Sequence, residues 1–580
     1  MIGRMDEVLR VGNCSGFYGD RLAAMREMLD GGDLDVLTGD YLAELTMLIL
    51  WRSRSKDPAK GYATTFLRQL EDCLGTAVGR GVRIVVNAGG LNPAGCAEAV
   101  SALADRLGVA AKVAYVTGDD LMPRLADIGD HLTHLDTGAP LSSAPKPPVT
   151  ANAYLGCWPV VAALDTGADV VVTGRVTDAA LVCGPAAWKF RWGAWDYGKL
   201  AGAVVAGHVL ECGAQATGGN YAFFDEVPGI EHVGFPIAEI AADGSSVITK
   251  HPGTGGLVSI GTVTAQLLYE IGGPLYQGPD VVARFDTIEL SDDGPDRVRI
   301  SGVRGNSPEP SLKVALNLVG GLRNAVTFVL TGLDLAAKAD LVTRQLKASF
   351  PDAEAALSRT DVGDADTNEA ATALLRITVK DSVPDRIGRA FSSAAVELGL
   401  ASYPGFTMTA PPGDATPYGV YWPALVPRDL VTPVVVGPDG TRTEVPHPRI
   451  ARSGGQGAWS MFMRGEFGPT RRVPLGRVCG ARSGDKGGTA NLGVWAREGL
   501  AFGWLATYLT VERLGELLPE TAAYDVERHV FPKLRALNFV IPGLLGEGVS
   551  SSTRADPQGK GLGEWLRARV VDVPESLLGD

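Results

Sequence analysis

Arg83-Ile84-Val85-Val86-Asn87-Ala88-Gly89-Gly90-Leu91-Asn92-Pro93 opens with four residues of strand character, breaks at Asn87 and two glycines, and meets a proline where an apolar-periodic run begins. A short Val/Ile run bounded by Asn and Gly reads as a strand, and Asn-Pro reads as a helix entry with Pro at the first helical position. The unit is strand, loop, helix, and it recurs on both sides. Strands are expected at 8–11, 35–38, 83–87, 112–116 and 169–173, with amphipathic helices at 21–29, 63–78, 97–107 and 153–164. Such alternation predicts a parallel sheet with helices on both faces over residues 1–190. An open doubly wound sheet is the first choice and a closed barrel the second.

In either architecture ligands bind at the carboxyl edge of the sheet. The five loops that leave that edge carry Asn13, then Asp40 and Glu44, then Asn87, Gly89, Gly90 and Asn92, then Asp119, and finally Arg175 and Asp178. One such loop is an ordinary turn; five predict a lined cleft. Taken singly, each residue also suits a structural role: Asn87, Asn92 and Asp119 as caps, and Arg175 with Asp178 as a plain ion pair. Gly12, Gly16 and Gly19 are not spaced as GxGxxG, so a dinucleotide site is not expected.

The 580 residues are 45% apolar and 21% charged, enough for several domains with ample core. A net charge of -13 without a basic cluster speaks against nucleic-acid binding. No apolar run approaches about twenty residues, and the first residues have no signal-peptide character, so a cytoplasmic protein without a membrane partner is expected. Seven cysteines without a CxxC pair, and histidines without HExxH, support neither a disulfide framework nor a bound transition metal. His131 and His134 read as a helix end or loop.

From 191 to 436 the pattern becomes an α+β extension. It starts with a glycine-rich polar tract holding Glu211, Gln215, Thr217, Gly219 and Asn220. Strands are expected at 281–290, 297–303 and 374–379, and helices at 320–331, 335–349 and 385–398. Residues 437–472 read as a Pro/Gly/Arg-rich linker. A small α/β sandwich follows over 473–580, with helices at 502–518 and 522–531 and a strand at 536–541.

That last domain opens with Gly480-Ala481-Arg482-Ser483-Gly484-Asp485-Lys486-Gly487-Gly488-Thr489-Ala490-Asn491, read as a glycine loop behind a strand-like run. Its glycines let backbone amides approach a ligand, Arg482 and Lys486 suit an anion, and Asp485 can orient or deprotonate a group. A second glycine-rich run at 543–552 is placed to fold back and face it.

Several of these strings in the same order resemble the acyclic terpene utilisation A (AtuA) family: Asn87 to Pro93, Gly174-Arg175-Val176-Thr177-Asp178, Gly218-Gly219-Asn220 and Ala481 to Gly488. The resemblance covers nearly the whole chain, and its terminal part is similar to that family's ferredoxin-fold domain. It implies catabolism of branched acyclic terpenoids and related acids through coenzyme A thioesters. With the residues, it gives an expected enzyme of lyase or hydratase type acting on a branched acyl-CoA or a derived hydroxy acid. Proton transfer would accompany addition, elimination or carbon–carbon cleavage. Asp485 and Asp178 are the acid/base candidates. Arg482, Lys486 and Arg175 are the anion binders, and the backbone of Gly487-Gly488 or Gly89-Gly90 is the oxyanion site. Asn13, Asp40, Asn87, Asn92, Gly219, Asn220 and Asn491 complete the expected binding set. A homo-oligomer is expected; the alternative is a non-catalytic partner or assembly subunit of an acyl-CoA carboxylase-type enzyme.

Overall fold

The computed structural model describes residues 8–358, 365–448, 450 and 467–578. Its centre is a run of five parallel strands, in spatial order Val8–Asn13, Val36–Gly39, Arg83–Val86, Val170–Thr173 and Val113–Thr117. Alternate side chains fill two cores, as the two-residue period of a strand dictates. Leu37, Ile84, Val86, Val170 and Val172 meet one apolar cluster with Met25, Phe66 and Val100, whereas Val11, Val36, Val85 and Val171 join another with Val160, Val182 and Val205. The helix Pro93–Leu107 begins where Asn92 Oδ1 accepts the Gly95 amide at 3.0 Å and stops at Gly108, whose φ of 67° a glycine adopts without steric cost.

The sheet runs on past residue 190. Antiparallel strands Pro236–Ala241, Ser246–Lys250, Val298–Ser301 and Glu289–Asp292 extend one side. Val434–Val436 and Arg442–Glu444 extend the other, so the stretch expected as linker contributes an edge strand. Within that stretch Thr470–Pro474 also pairs, with Val570–Pro574, while 449 and 451–466 lie outside the described residues.

A second sheet is built on the 21-residue strand Ser311–Thr331, about 70 Å long at the usual rise. Thr416–Pro427 and Pro148–Ala153 pair with its first half, and Thr372–Asp381 with its second. The helix expected at 320–331 is thus corrected to strand. Asn324, Val326, Phe328 and Leu330 are buried in alternation, and a partner strand remote in sequence takes the hydrogen bonds.

The other corrections are local. Ala153 ends a strand, and the helix that follows is Trp158–Asp165. A break at Cys73 divides 63–78 into Thr64–Glu71 and Leu74–Gly79. The expected 281–290 strand is two short ones, Val282–Arg284 and Glu289–Asp292. The helix expected at 522–531 is largely the strand Glu527–Phe531, paired with Ala536–Ile541.

The terminal domain is ferredoxin-like: a four-stranded antiparallel sheet with helices Gly499–Tyr508, Val511–Leu517 and Leu562–Arg567. Its opening stretch is no loop. Cys479–Lys486 and Thr489–Ala496 form a hairpin turning on Gly487-Gly488, a dipeptide suited to a two-residue turn. Gly484 and Gly493 serve close packing, because a Cβ there would stand 2.5 Å from the Tyr269 ring and from the Leu268 Cβ.

Candidate functional site

The site starts at the carboxyl edge of the parallel strands. Asn87, fully buried, donates from Nδ2 to Asp40 Oδ1 at 2.6 Å and accepts the Tyr41 amide on Oδ1 at 2.7 Å, locking one strand end to the next loop. Asp40 also accepts the Leu42 amide at 3.0 Å. Burial pushes the Asp40 carboxyl well above its ordinary range; Asp178 adds to this and Arg175 opposes it.

Arg175 leaves the Val170–Thr173 strand almost fully buried. Its guanidinium donates to Asp178 Oδ1 at 2.8 Å, to the Leu42 carbonyl at 3.2 Å and to the Tyr154 hydroxyl at 3.0 Å, and lies 4.2 Å from the Tyr154 ring centre. Asp119, expected as a cap, holds the loop by accepting the Arg175 amide and the Asn152 side chain on Oδ2. Burial pushes its carboxyl up to about 6.

The long strand adds Lys313, whose Nζ lies 3.8 Å from Glu44 Oε1 and 4.8 Å from the Tyr154 ring. Burial alone would raise the Glu44 carboxyl, but Lys313 and Arg175 outweigh it and hold the group below its ordinary value. Lys313 moves up in turn: Tyr154 and Glu44 overcome the burial that would discharge it. The two shifts agree on an ionised pair.

The ferredoxin-like domain completes the site with its hairpin tip. Lys486 is exposed, and its ammonium donates to the Glu270 carbonyl at 3.1 Å and sits 5.2 Å from the Tyr276 ring. Burial and the charge of Lys313 lower its pKa. Asp485 Oδ1 accepts a long hydrogen bond from Gln558 Nε2, 3.3 Å. Burial, then Glu270 and Glu44, push its carboxyl up to about 8.

Beneath lie Glu270 and Glu211. Glu270 has a left-handed backbone, φ 55°, unusual for a side chain with a Cβ, and its amide donates to Asn491 Oδ1 at 2.8 Å. Burial raises its carboxyl. Glu211 Oε1 is 3.0 Å from His208 Nδ1. Burial drives the two apart in the neutral sense, the Glu211 carboxyl well up and the imidazole down to about 4, so the contact joins uncharged groups. Glu211 Oε2, Gln215 Oε1 and His208 Nε2 are buried without a partner among the described residues. Unpaired buried acceptors carry a desolvation cost and mark a place where a ligand group can bond.

Access is narrow. Glu44, Leu48, Asn317, Tyr421, Asp485 and Gly487 line a mouth of about 20 Å³, room for about one water. The 543–552 run does fold back on the hairpin: the Leu545 amide donates to the Gly488 carbonyl at 3.0 Å. It also grips the second sheet, where Tyr421 N donates to the Glu547 carbonyl and Gly419 N to Ser550 Oγ at 2.8 Å.

Of the residues named from the sequence, Asp40, Arg175, Asp178, Asp485 and Lys486 come together, with Asn87 in support. Arg482 stands to one side, 4.4 Å over Tyr269 and in reach of the exposed Asn220 carbonyl. Asn13 closes its own turn on the Ser15 amide, and Asn92 caps a helix. The Gly90 amide is taken by the Asn87 carbonyl, and a Cβ on Gly89 would stand 2.5 Å from the Thr173 carbonyl oxygen, so this pair serves packing. Gly219 packs similarly against Ala214, and Gly488 against Gly546. Asn491 spends both polar atoms within the protein, on Glu270, Leu268 and Asn538. Lys313, Tyr154, Tyr421, Glu270 and Tyr276 were not singled out: each sits in a strand or turn without a local motif. Glu44, Glu211 and Gln215 were visible as polar residues at the sheet edge and in the glycine tract. Among the described residues no group of three or more His, Cys, Asp or Glu is arranged to hold a metal ion, and no helix is long and apolar enough to cross a membrane.

No curated protein and no solved structure matches the chain significantly. Two family models do match. Residues 9–436 match the acyclic terpene utilisation family protein AtuA, and residues 473–572 match the AtuA ferredoxin-like domain. The first spans the sheet edge with Asp40, Arg175 and Lys313, and the second spans the hairpin with Asp485 and Lys486. The chain belongs to the acyclic terpene utilisation family of AtuA proteins.

Proposed function

We propose that the chain is a catabolic enzyme of lyase or hydratase type acting on a branched acyl-CoA or a hydroxy acid derived from one. The observation that carries this is a pair of carboxyls lining one mouth in opposite protonation states. Asp485, pushed up to about 8, holds a proton at neutral pH, while Glu44 beside Lys313 is ionised. Two titratable groups whose surroundings drive them apart are the signature of an acid and a base. Glu44 takes a proton from the carbon next to the thioester or carboxylate carbonyl. Asp485 gives one to the departing hydroxyl; in the reverse sense Asp485 takes a proton from the adding water and Glu44 returns one to the carbon. Lys313, Lys486 and Arg175 supply positive charge to the enolate oxygen or to a substrate carboxylate.

The test is turnover of a panel of branched acyl-CoAs and 3-hydroxy acids by wild type, Asp485→Asn and Glu44→Gln. Each variant should lose about a hundredfold or more in kcat. Asp485→Asn should still gain melting temperature with the thioester that wild type turns over. Wild-type rates in both variants would sink the proposal. Absence of turnover, with recovery of the chain bound to a carboxylase-type enzyme, would put the non-catalytic subunit in its place.

A further inference from the structure

A cleft of about 340 Å³ lies between the ferredoxin-like domain and the main body, at the other end of the hairpin strand from the mouth. From Thr489 to Trp495 that strand spans about 20 Å, so the cleft is separate from the mouth at Glu44 and Asp485. Its size is that of a small-ligand pocket. Leu257, Leu290, Trp495 and Leu534 provide an apolar wall.

The rest of the lining carries both signs of charge. Arg497, Lys533 and Arg535 line it together with Glu226 and Asp292. Arg497 is forked onto Glu226 at 2.6 and 3.0 Å, and Lys533 is paired with Glu289 at 2.6 Å. Arg535 has no carboxylate partner among the described residues; it donates from one nitrogen to the Arg497 carbonyl. The helix Ile260–Leu267 starts in this cleft, and a Ser259–Thr262 capping box satisfies the Ser259 and Thr262 amides but not those of Ile260 and Gly261. Trp495 is 2% exposed, and its indole N–H is buried without a partner among the described residues. Free amides at a helix start, an uncommitted guanidinium and an unpaired indole donor around an apolar wall suit a negative head on a greasy body.

We propose that this cleft is a second ligand site, which takes an amphipathic organic anion: a carboxylate or phosphate carried on an apolar chain. The helix that opens in the cleft ends at Leu267, next to the segment holding Glu270, so an occupant would bridge the two domains close to the elements that place Lys486.

Calorimetric titration with octyl phosphate, octanoate and octanol tests this on the full chain. Two variants keep the fold. Arg535→Gly removes the guanidinium at a left-handed residue, φ 50°, where glycine is at ease. Ile260→Asp puts a carboxylate on an exposed first helical residue, where the helix dipole favours it while an anion is repelled. One or both anions should bind wild type, the tighter one naming the head group, and octanol should bind at least about tenfold more weakly. Each variant should lose about tenfold for the anion, and Lys486→Met should bind it like wild type. No binding of either anion, equal binding of octanol, or loss in Lys486→Met alone would overturn the proposal.

Discussion

Asp485 couples pH to stability. Its carboxyl ionises near 8 in the folded chain against about 3.8 ordinarily, so the folded state holds the extra proton between those values. A raised carboxyl destabilises the fold once the pH climbs through that window, and nothing is lost below about 4, where both states are protonated. Asp485→Asn should therefore melt above wild type at pH 9 and level with it at pH 4; equal melting at both would show the carboxyl to be an ordinary one. If Asp485 is the general acid proposed above, turnover should also fall as pH rises through about 8. Asn491 makes a different kind of test. Its side chain serves the Glu270 amide, the Leu268 carbonyl and Asn538 in a buried place. Asn491→Ala leaves those groups unpaired and should cost about 3 kcal/mol in a denaturant melt. A loss under about 1 kcal/mol would mean that water replaces the side chain.

At the level of elements, the hairpin turn is where packing and access meet. A Cβ on Gly488 would stand 2.1 Å from the Gly546 carbonyl oxygen, a backbone atom with nowhere to yield. Gly488→Ala should cost about 1–3 kcal/mol and displace the 543–552 run. Amide exchange there should rise while the hairpin strands stay protected; unchanged exchange across 543–552 would detach that run from the turn. The same hairpin explains what the sequence withheld. The five parallel strands were legible because Val and Ile runs between glycines have few other readings. Cys479–Lys486 was not, because its glycines at 480 and 484 are there to admit the Trp495 and Tyr269 rings, and glycine in isolation reads as a loop. The second half of Ser311–Thr331 has apolar residues at Leu322, Val326 and Val329, a helical spacing that only its pairing with Thr372–Asp381 overrules.

Across the whole molecule, the site draws on three bodies of chain that lie hundreds of residues apart. Asp40 and Arg175 were found because sheet topology sends five loops to one edge. Lys313 and Glu270 were not, because what brings them to the candidate site is the approach of Tyr154, Glu44 and the hairpin, and no short stretch encodes that. The cysteines are likewise governed by the global fold. Six of the seven are buried, Cys212 is partly so, and burial raises every thiol for which a shift is defined. The native protein should present at most about one thiol to an aromatic disulfide reagent within minutes and all seven after denaturation. A reductant should leave the melting temperature unchanged, whereas several fast thiols in the native state would contradict the packing.

The long strand also sets where this scaffold tolerates change. Its register shifts between Val319 and Gly321. Before that point it carries Lys313 into the site; beyond it, Val326, Phe328 and Leu330 anchor an outer lobe whose separate core is completed by Leu335, Val342, Leu375 and Phe391. The irregularity works as an insulator: substitutions that repack the lobe strain a core of their own and leave the charge at Lys313 in place. Homologues should accordingly drift fastest there, and a combinatorial library aimed at that lobe can alter the outer surface without moving Lys313.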